Sequence, residues 1–369
     1  MRASPCKPSF EPRTTLVTGP RAVDQSGLSL IELIIGLSLG LVMVLAMGYL
    51  YVHGRQGYRL NDNLARIQEN ARIALETIGR DVRMTGFIAC SSLNHTQPRV
   101  LAQTPPSPLT AGGLLSAADS LSGVDTGASG TWAGIPASLS HVPGTDVLLV
   151  ARASEQIWVI EAAMAHAGAV LTVGHADIGL QTNDLVVVSD CMHTADLFRA
   201  STVATSGGTT TIGHDATANV SANLSRDYPA GSRLGAFQIW QYFVARDTSG
   251  QIALYRRPLH RPATPQADWV VADGIADLQI HYGVDADGDG RVEAFRTATQ
   301  VTTAGAWARV IALRVTLVLA GPDDHQVASP QTLVYRDDDG DGELEAKTMP
   351  DRRLYQMFST TISLRNRSA

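Results

Sequence analysis

Apolar residues run almost unbroken from Leu28 to Val52. The run predicts a helix, because in lipid a helix satisfies its own backbone hydrogen bonds. Its 25 residues, rising about 1.5 Å each, suffice to cross a hydrocarbon core of about 30 Å. One carboxylate, Glu32, interrupts it five residues after Gly27. A charge at that depth costs roughly 2.5–3.5 kcal/mol on insertion scales, so it calls for a functional reason. Gly36-Leu37-Ser38-Leu39-Gly40 has the small-xxx-small spacing that lets membrane helices approach; ordinary glycines of a membrane helix explain it equally well. Beyond the run, Leu60, Leu64, Ile67, Ala71, Ala74, Ile78 and Val82 recur every three or four residues and draw one apolar stripe. Asp62–Arg66 and Glu76–Arg80 stand at i,i+4 on other faces, in the favourable order. One helix from Leu28 to about Arg83 is predicted, roughly 80 Å long.

The pattern then changes. Residues 91–144 are rich in Ser, Gly, Pro, Ala and Thr and read as a loop-rich insertion. From residue 147 the period shortens to that of strands: Val147–Val150, Ile157–Ile160, Val170–Val173, Leu185–Val188, Phe237–Val244, Ile252–Arg256, Ala276–Tyr282, Ala308–Leu319, Thr332–Tyr335 and Leu354–Leu364. Residues 206–223 are weakly patterned. The expected class is α+β, a long N-terminal helix followed by a sheet-rich domain. The division is a leader at 1–27, the helix at 28–85 and a β-rich globular domain at 86–369.

Two segments repeat one arrangement, D-x-D-G-D-G-x-x-E, at 285–293 and 337–345. These are the first nine positions of a calcium loop. Asp285, Asp287 and Asp289, with Glu293, and likewise Asp337, Asp339 and Asp341, with Glu345, are the candidate oxygen ligands. The seventh residues, Arg291 and Glu343, offer backbone carbonyls. Hard oxygen donors suit Ca²⁺. Position 12 is Arg296 or Thr348, where a helix–loop–helix calcium site needs a bidentate Glu, and the flanks read as strands. The expectation is one or two Ca²⁺-binding turns between strands. The competing reading is a solvated acidic hairpin, where Asp-Gly is favoured for its backbone angles alone.

Gly27-Leu28-Ser29-Leu30-Ile31-Glu32 resembles the signal of type IV prepilins and pseudopilins, a glycine followed by an apolar helix with Glu at its fifth position. A conventional secretory signal fits less well, since its apolar core is 7–15 residues, and a plain anchor explains neither Gly27 nor Glu32. Further stretches resemble minor pilins of the PilW type: Leu64–Asn70, Met84–Cys90, Tyr282–Asp285 with Gly290, and Leu364-Arg365-Asn366. The resemblance implies a pilin-like fold and cleavage between Gly27 and Leu28 by a prepilin peptidase, with methylation of the new N-terminus. It implies insertion in a bacterial inner membrane, a periplasmic globular domain, and incorporation into a pilus beside the major pilin and other minor pilins, Glu32 serving assembly. The expected function is type IV pilus assembly or initiation at or near the tip. The alternatives are a J-type pseudopilin of type II secretion and a tip adhesin or DNA-capture subunit.

The chain carries −6, and its first 27 residues carry Arg2, Lys7, Arg13 and Arg21 against Glu11 and Asp24, a net of +2. The remainder is therefore −6 − 2 = −8, which argues against nucleic acid as a partner. Of three cysteines, Cys6 lies in the leader, leaving Cys90 and Cys191. An even pair in an exported chain reads as a disulfide; two separate buried thiols are the alternative. No H-E-x-x-H, P-loop or C-x-x-C motif is present, and the ten histidines are scattered. The expectation is a protein without catalytic activity.

Overall fold

A computed structural model describes residue 27 and residues 29–260, 269–337 and 341–367. The expectations for the leader, for Leu28 and for Asp339 lie outside the described residues. Two units divide the chain, Met1–Arg59 and Leu60–Ala369.

The helix runs from Leu30 to Met84. In the first unit every described side chain from Ser29 to Arg59 is exposed, and this part is long and apolar enough to cross a membrane. In the second unit the helix buries Ile67, Ala71, Ala74, Ile78 and Val82, while Arg72, Glu76, Arg80 and Arg83 stay exposed. The stripe begins later than its sequence periodicity suggests. Leu60 is exposed and Leu64 half-buried, because the inward position of that turn is Asn63, whose amide donates to Asp323 Oδ2 at 3.3 Å. Asp62 and Arg66 pair at 3.1 Å, whereas Glu76 and Arg80 form no ion pair. Gly86 stops the helix. It takes φ +78°, a left-handed conformation that glycine adopts without a Cβ penalty. Its N–H goes to Ala151 O at 3.1 Å.

The second unit is rich in antiparallel strands. A nine-stranded sheet centres on the 14-residue strand Arg233–Arg246. Strands Leu185–Ser189 and Ile252–Pro258 pair with different stretches of it, and Val147–Val159 pairs with it as well. Leu121–Val124 and Trp269–Asp273 extend the sheet outward. A four-stranded sheet is ordered Ala294–Arg296, Ile275–Val284, Val310–Ala320, Tyr355–Ser363. A separate hairpin pairs Thr332–Arg336 with Glu345–Thr348. The weakly patterned stretch near residue 206 is also a hairpin, Thr202–Ser206 with Thr209–Gly213. Its alternation was concealed by threonines, which suit a strand without marking a buried face.

Two strands expected at 147–150 and 157–160 are one 13-residue strand. The polar stretch between them, Arg152 to Gln156, stays in the ladder because Arg152 and Ala153 pair with Gln238 and Phe237, and a register shift at Gly235/Phe237 absorbs the bend. One core joins the helix stripe to Leu148, Val150, Tyr242, Val244 and Leu254 of the large sheet and to Leu278, Ile280, Leu313, Val315 and Leu317 of the four-stranded sheet. The helix is therefore an internal support of this unit, its apolar face covered by both sheets.

Candidate functional site

Three places carry the chemistry singled out in the sequence. At the N-terminal end, Ser29 N–H donates to Glu32 Oε2 at 3.0 Å, and Ile31 N–H donates to Ser29 Oγ at 3.2 Å. This is a reciprocal cap on the helix start, satisfying donors that the helix itself leaves unpaired. The S-x-x-E spacing ahead of an apolar run signals such a cap, yet the sequence reading gave Glu32 an assembly role alone. A Cβ at Gly36, Gly40 or Gly48 would meet nothing beyond its own helix within 4 Å, so these positions are open along the apolar segment.

The second place is the exit from the helix. Cys90 and Cys191 form a disulfide, with Cα atoms 5.5 Å apart. Cys90 lies between the short paired strands Phe87–Ile88 and Ser91–Ser92. Cys191 lies in the turn after Leu185–Ser189, which Asp190 organises by accepting from Met192, His193 and Thr194 N–H at 2.9–3.0 Å. The closing Leu364-Arg365-Asn366 stretch has a physical role here. Leu364 is buried in the shared core, and the Asn366 amide donates to Arg83 O and Thr85 O at 3.4 and 3.3 Å, carbonyls that the helix end leaves unpaired.

The third place is the pair of acidic turns, and both do join strands. In the first, Asp285 follows Ile275–Val284 and is 8% exposed. Its Oδ1 accepts from Gly288 N–H at 2.6 Å and its Oδ2 from Gly290 N–H at 2.9 Å. Gly288 and Gly290 take φ +85° and +82°, which lets the chain fold back on that carboxylate. Glu293 Oε2 accepts from Ala286 N–H at 2.6 Å. Asp285, Asp287, Asp289 and Glu293 each place a carboxylate oxygen within 4.8 Å of the others. The Arg291 side chain lies largely in solvent, its Nε 3.9 Å from Asp289 Oδ2.

In the second turn, Asp337, Asp341 and Glu345 bring carboxylate oxygens within 4.8 Å of one another. Asp337 follows the strand Thr332–Arg336 and is 8% exposed, Asp341 is exposed and Glu345 half-buried. The Glu343 carboxylate is not part of the group; its N–H donates to Asp341 Oδ1 at 2.7 Å. The hairpin carrying this turn is fastened to the four-stranded sheet through Asp277. Its Oδ2 accepts from Tyr335 Oη at 2.6 Å, Arg336 Nη1 at 2.9 Å and Lys347 Nζ at 2.9 Å. Sequence inspection missed Asp277, since nothing in Ala276-Asp277-Leu278 distinguishes it from a surface residue. Two oxygens on opposite sides of a Ca²⁺ ion stand up to about 5 Å apart, so both acidic groups fit a hard cation.

The architecture defines a class first: an α+β protein whose N-terminal apolar helix leads into a domain of several sheets. Residues 241–366, which include both acidic turns, the four-stranded sheet and Asn366, match the family model described as type IV pilus-assembly protein W, PilW. That match supports a type IV pilus-related protein and suggests a role in pilus assembly, with other pilus components as partners. No curated protein and no solved structure matches the chain.

Proposed function

We propose that the chain is a non-enzymatic minor pilin that takes part in type IV pilus assembly or initiation at or near the pilus tip. The observation that carries this reading is the family match over residues 241–366. The exposed apolar segment of the helix, preceded by Gly27 and carrying Glu32, is in keeping with it. In this reading a prepilin peptidase cuts between Gly27 and Leu28 and the new N-terminus is methylated. The helix then anchors the protein in the inner membrane, with the sheet-rich unit in the periplasm, until neighbouring minor pilins and the major pilin take it into the filament. The two acidic turns hold Ca²⁺ through Asp285, Asp287, Asp289 and Glu293 and through Asp337, Asp341 and Glu345. The net charge of −8 beyond residue 27 disfavours nucleic acid as a ligand.

The experiment has two arms. Intact-mass analysis of protein purified from membranes is expected to give an N-terminus at Leu28 with one added methyl group. A deletion strain is expected to lose surface pili while type II secretion continues. Normal piliation with failed secretion would make the chain a pseudopilin instead. An uncut chain would remove it from the prepilin class.

A further inference from the structure

We infer that the two acidic turns are unequal and that Asp337, Asp341 and Glu345 form the tighter Ca²⁺ site, one that ties together the turn end of the 332–348 hairpin. The inference rests on the reading above that these turns take a hard cation, and it separates them on an observation that their shared sequence pattern does not contain.

Asp337 is 8% exposed, and its Oδ1 has no hydrogen-bond partner among the described residues. Its Oδ2 has His281 Nε2 at 3.8 Å, beyond hydrogen-bonding distance. Arg336 Nη1 and Lys347 Nζ, on the two hairpin strands, both bond Asp277 Oδ2 at 2.9 Å. A carboxylate oxygen removed from water and left without a donor is costly to the fold, and buried polar atoms are otherwise almost always satisfied. A cation at this point supplies the missing partner. The first turn poses no such problem. Asp285 is as deeply buried, but each of its oxygens already accepts a backbone N–H from Gly288 or Gly290. Binding there adds to a carboxylate that is already compensated, whereas binding at Asp337 also removes a penalty.

The ligand set has the chemistry of calcium. Among the described residues it is three carboxylates with no nitrogen or sulfur, and their oxygens lie within 4.8 Å of one another, inside the span of opposite ligands on Ca²⁺. Asp341 and Glu345 keep contact with solvent, so water can complete the six to eight oxygens that the ion takes, approximately the number found in known sites. The placement also gives the ion a mechanical role. Asp337 directly follows one hairpin strand and Glu345 begins the other. An ion shared between them staples the strands at the turn end, while Tyr335, Arg336 and Lys347 hold the hairpin to Asp277.

The test is Ca²⁺ calorimetry on the full-length, chelator-stripped protein in detergent. Wild type is expected to show a tighter and a weaker site. Asp341→Asn and Glu345→Gln, both at positions open to solvent, should each weaken the tighter site by about tenfold or more, while Asp287→Asn should leave it within about twofold. Protease cleavage within 341–345 should rise on chelation in wild type and be insensitive to Ca²⁺ in Glu345→Gln. A tighter site that survives Asp341→Asn and is lost in Asp287→Asn would overturn the inference, as would a wild-type chain that binds no Ca²⁺. Either result leaves the pilus reading intact, since that reading is decided by the N-terminus and by piliation. Loss of the pilus reading with Ca²⁺ binding retained would show the reverse.

Discussion

One carboxylate on the helix is met by three adjacent strands. Asp81 Oδ1 accepts from Arg152 Nε at 3.1 Å and Nη2 at 2.7 Å, and its Oδ2 accepts from Arg256 Nη2 at 2.6 Å and from Tyr242 Oη. Asp81 and Arg152 are almost wholly buried, and the Arg256 guanidinium also lies 3.5 Å from the centre of the Trp240 ring. Removing one member of such a group strands the others, so Asp81→Ala should destabilise the fold by about 3–5 kcal/mol. Denaturant unfolding measures this, and a loss below about 1 kcal/mol would mean that the guanidinium groups find water instead. Asp146 makes a different prediction. Burial pushes its carboxyl well above the usual carboxylate range, against the hydrogen bond from Ile280 N–H at 2.7 Å. The folded state therefore holds this proton to a higher pH than the unfolded state, and stability is lost as pH rises from the unfolded value of about 3.9 through the folded one. Asp146→Asn can still accept from Ile280. It should melt near wild type at about pH 4 and increasingly above it toward about pH 8. A gap that does not change with pH would show that the carboxyl ionises normally. Neither residue announces itself in sequence. Asp81 follows charged Arg80 on a helix whose other charges are solvated, and its partners lie 71 and 161 residues away along the chain.

The elements were legible to the extent that their signals are local. The long helix is found within two residues of the expected start, because an apolar run and a 3.6-residue stripe act over a few turns. Most strands of the 241–366 segment also fall where alternation placed them. The fused strand Val147–Val159 and the Thr-rich hairpin do not, since pairing with a neighbour outweighs local polarity. Strands Ala195–Arg199 and Leu121–Val124 were missed as well: each is only four or five residues long, too short to show a clear alternation. The disulfide is the element-scale feature that cysteine arithmetic anticipated. It closes a loop with a separation of 101 residues, for which the chain-entropy model gives about 4.7 kcal/mol and measured bridges typically give about 2–4 kcal/mol. A Cys90→Ser/Cys191→Ser protein should lose stability in that lower range in thermal melts and gain protease sensitivity near residues 87–92. An unchanged melting temperature would show that the helix exit is held by Asn366 and the core alone.

For the whole molecule the decisive residue is Glu32, because it belongs both to a local cap and to the proposed filament. Glu32→Gln retains an oxygen that can accept Ser29 N–H, so the helix start and membrane insertion should persist. What it removes is the charge available to a neighbouring subunit's N-terminal amine. Cleavage after Gly27 is expected to stay normal while pilus-associated protein falls by about tenfold or more, as breaking a buried charge pair implies. Wild-type amounts in sheared pili, at equal expression, would restrict Glu32 to capping. The apolar segment, the amphipathic continuation of the helix, the cysteine pair and the two acidic turns between strands were all determined by the sequence itself, since each depends on residue types at fixed short spacings. The tertiary structure alone decided which strands are neighbours, how Asp81 and Asp277 bind distant elements together, and why two turns of one pattern differ. Those outcomes depend on burial and on partners far along the chain. The repeated D-x-D-G-D-G-x-x-E pattern is the same in both turns, but the backbone amides that satisfy Asp285 have no counterpart at Asp337 Oδ1 among the described residues.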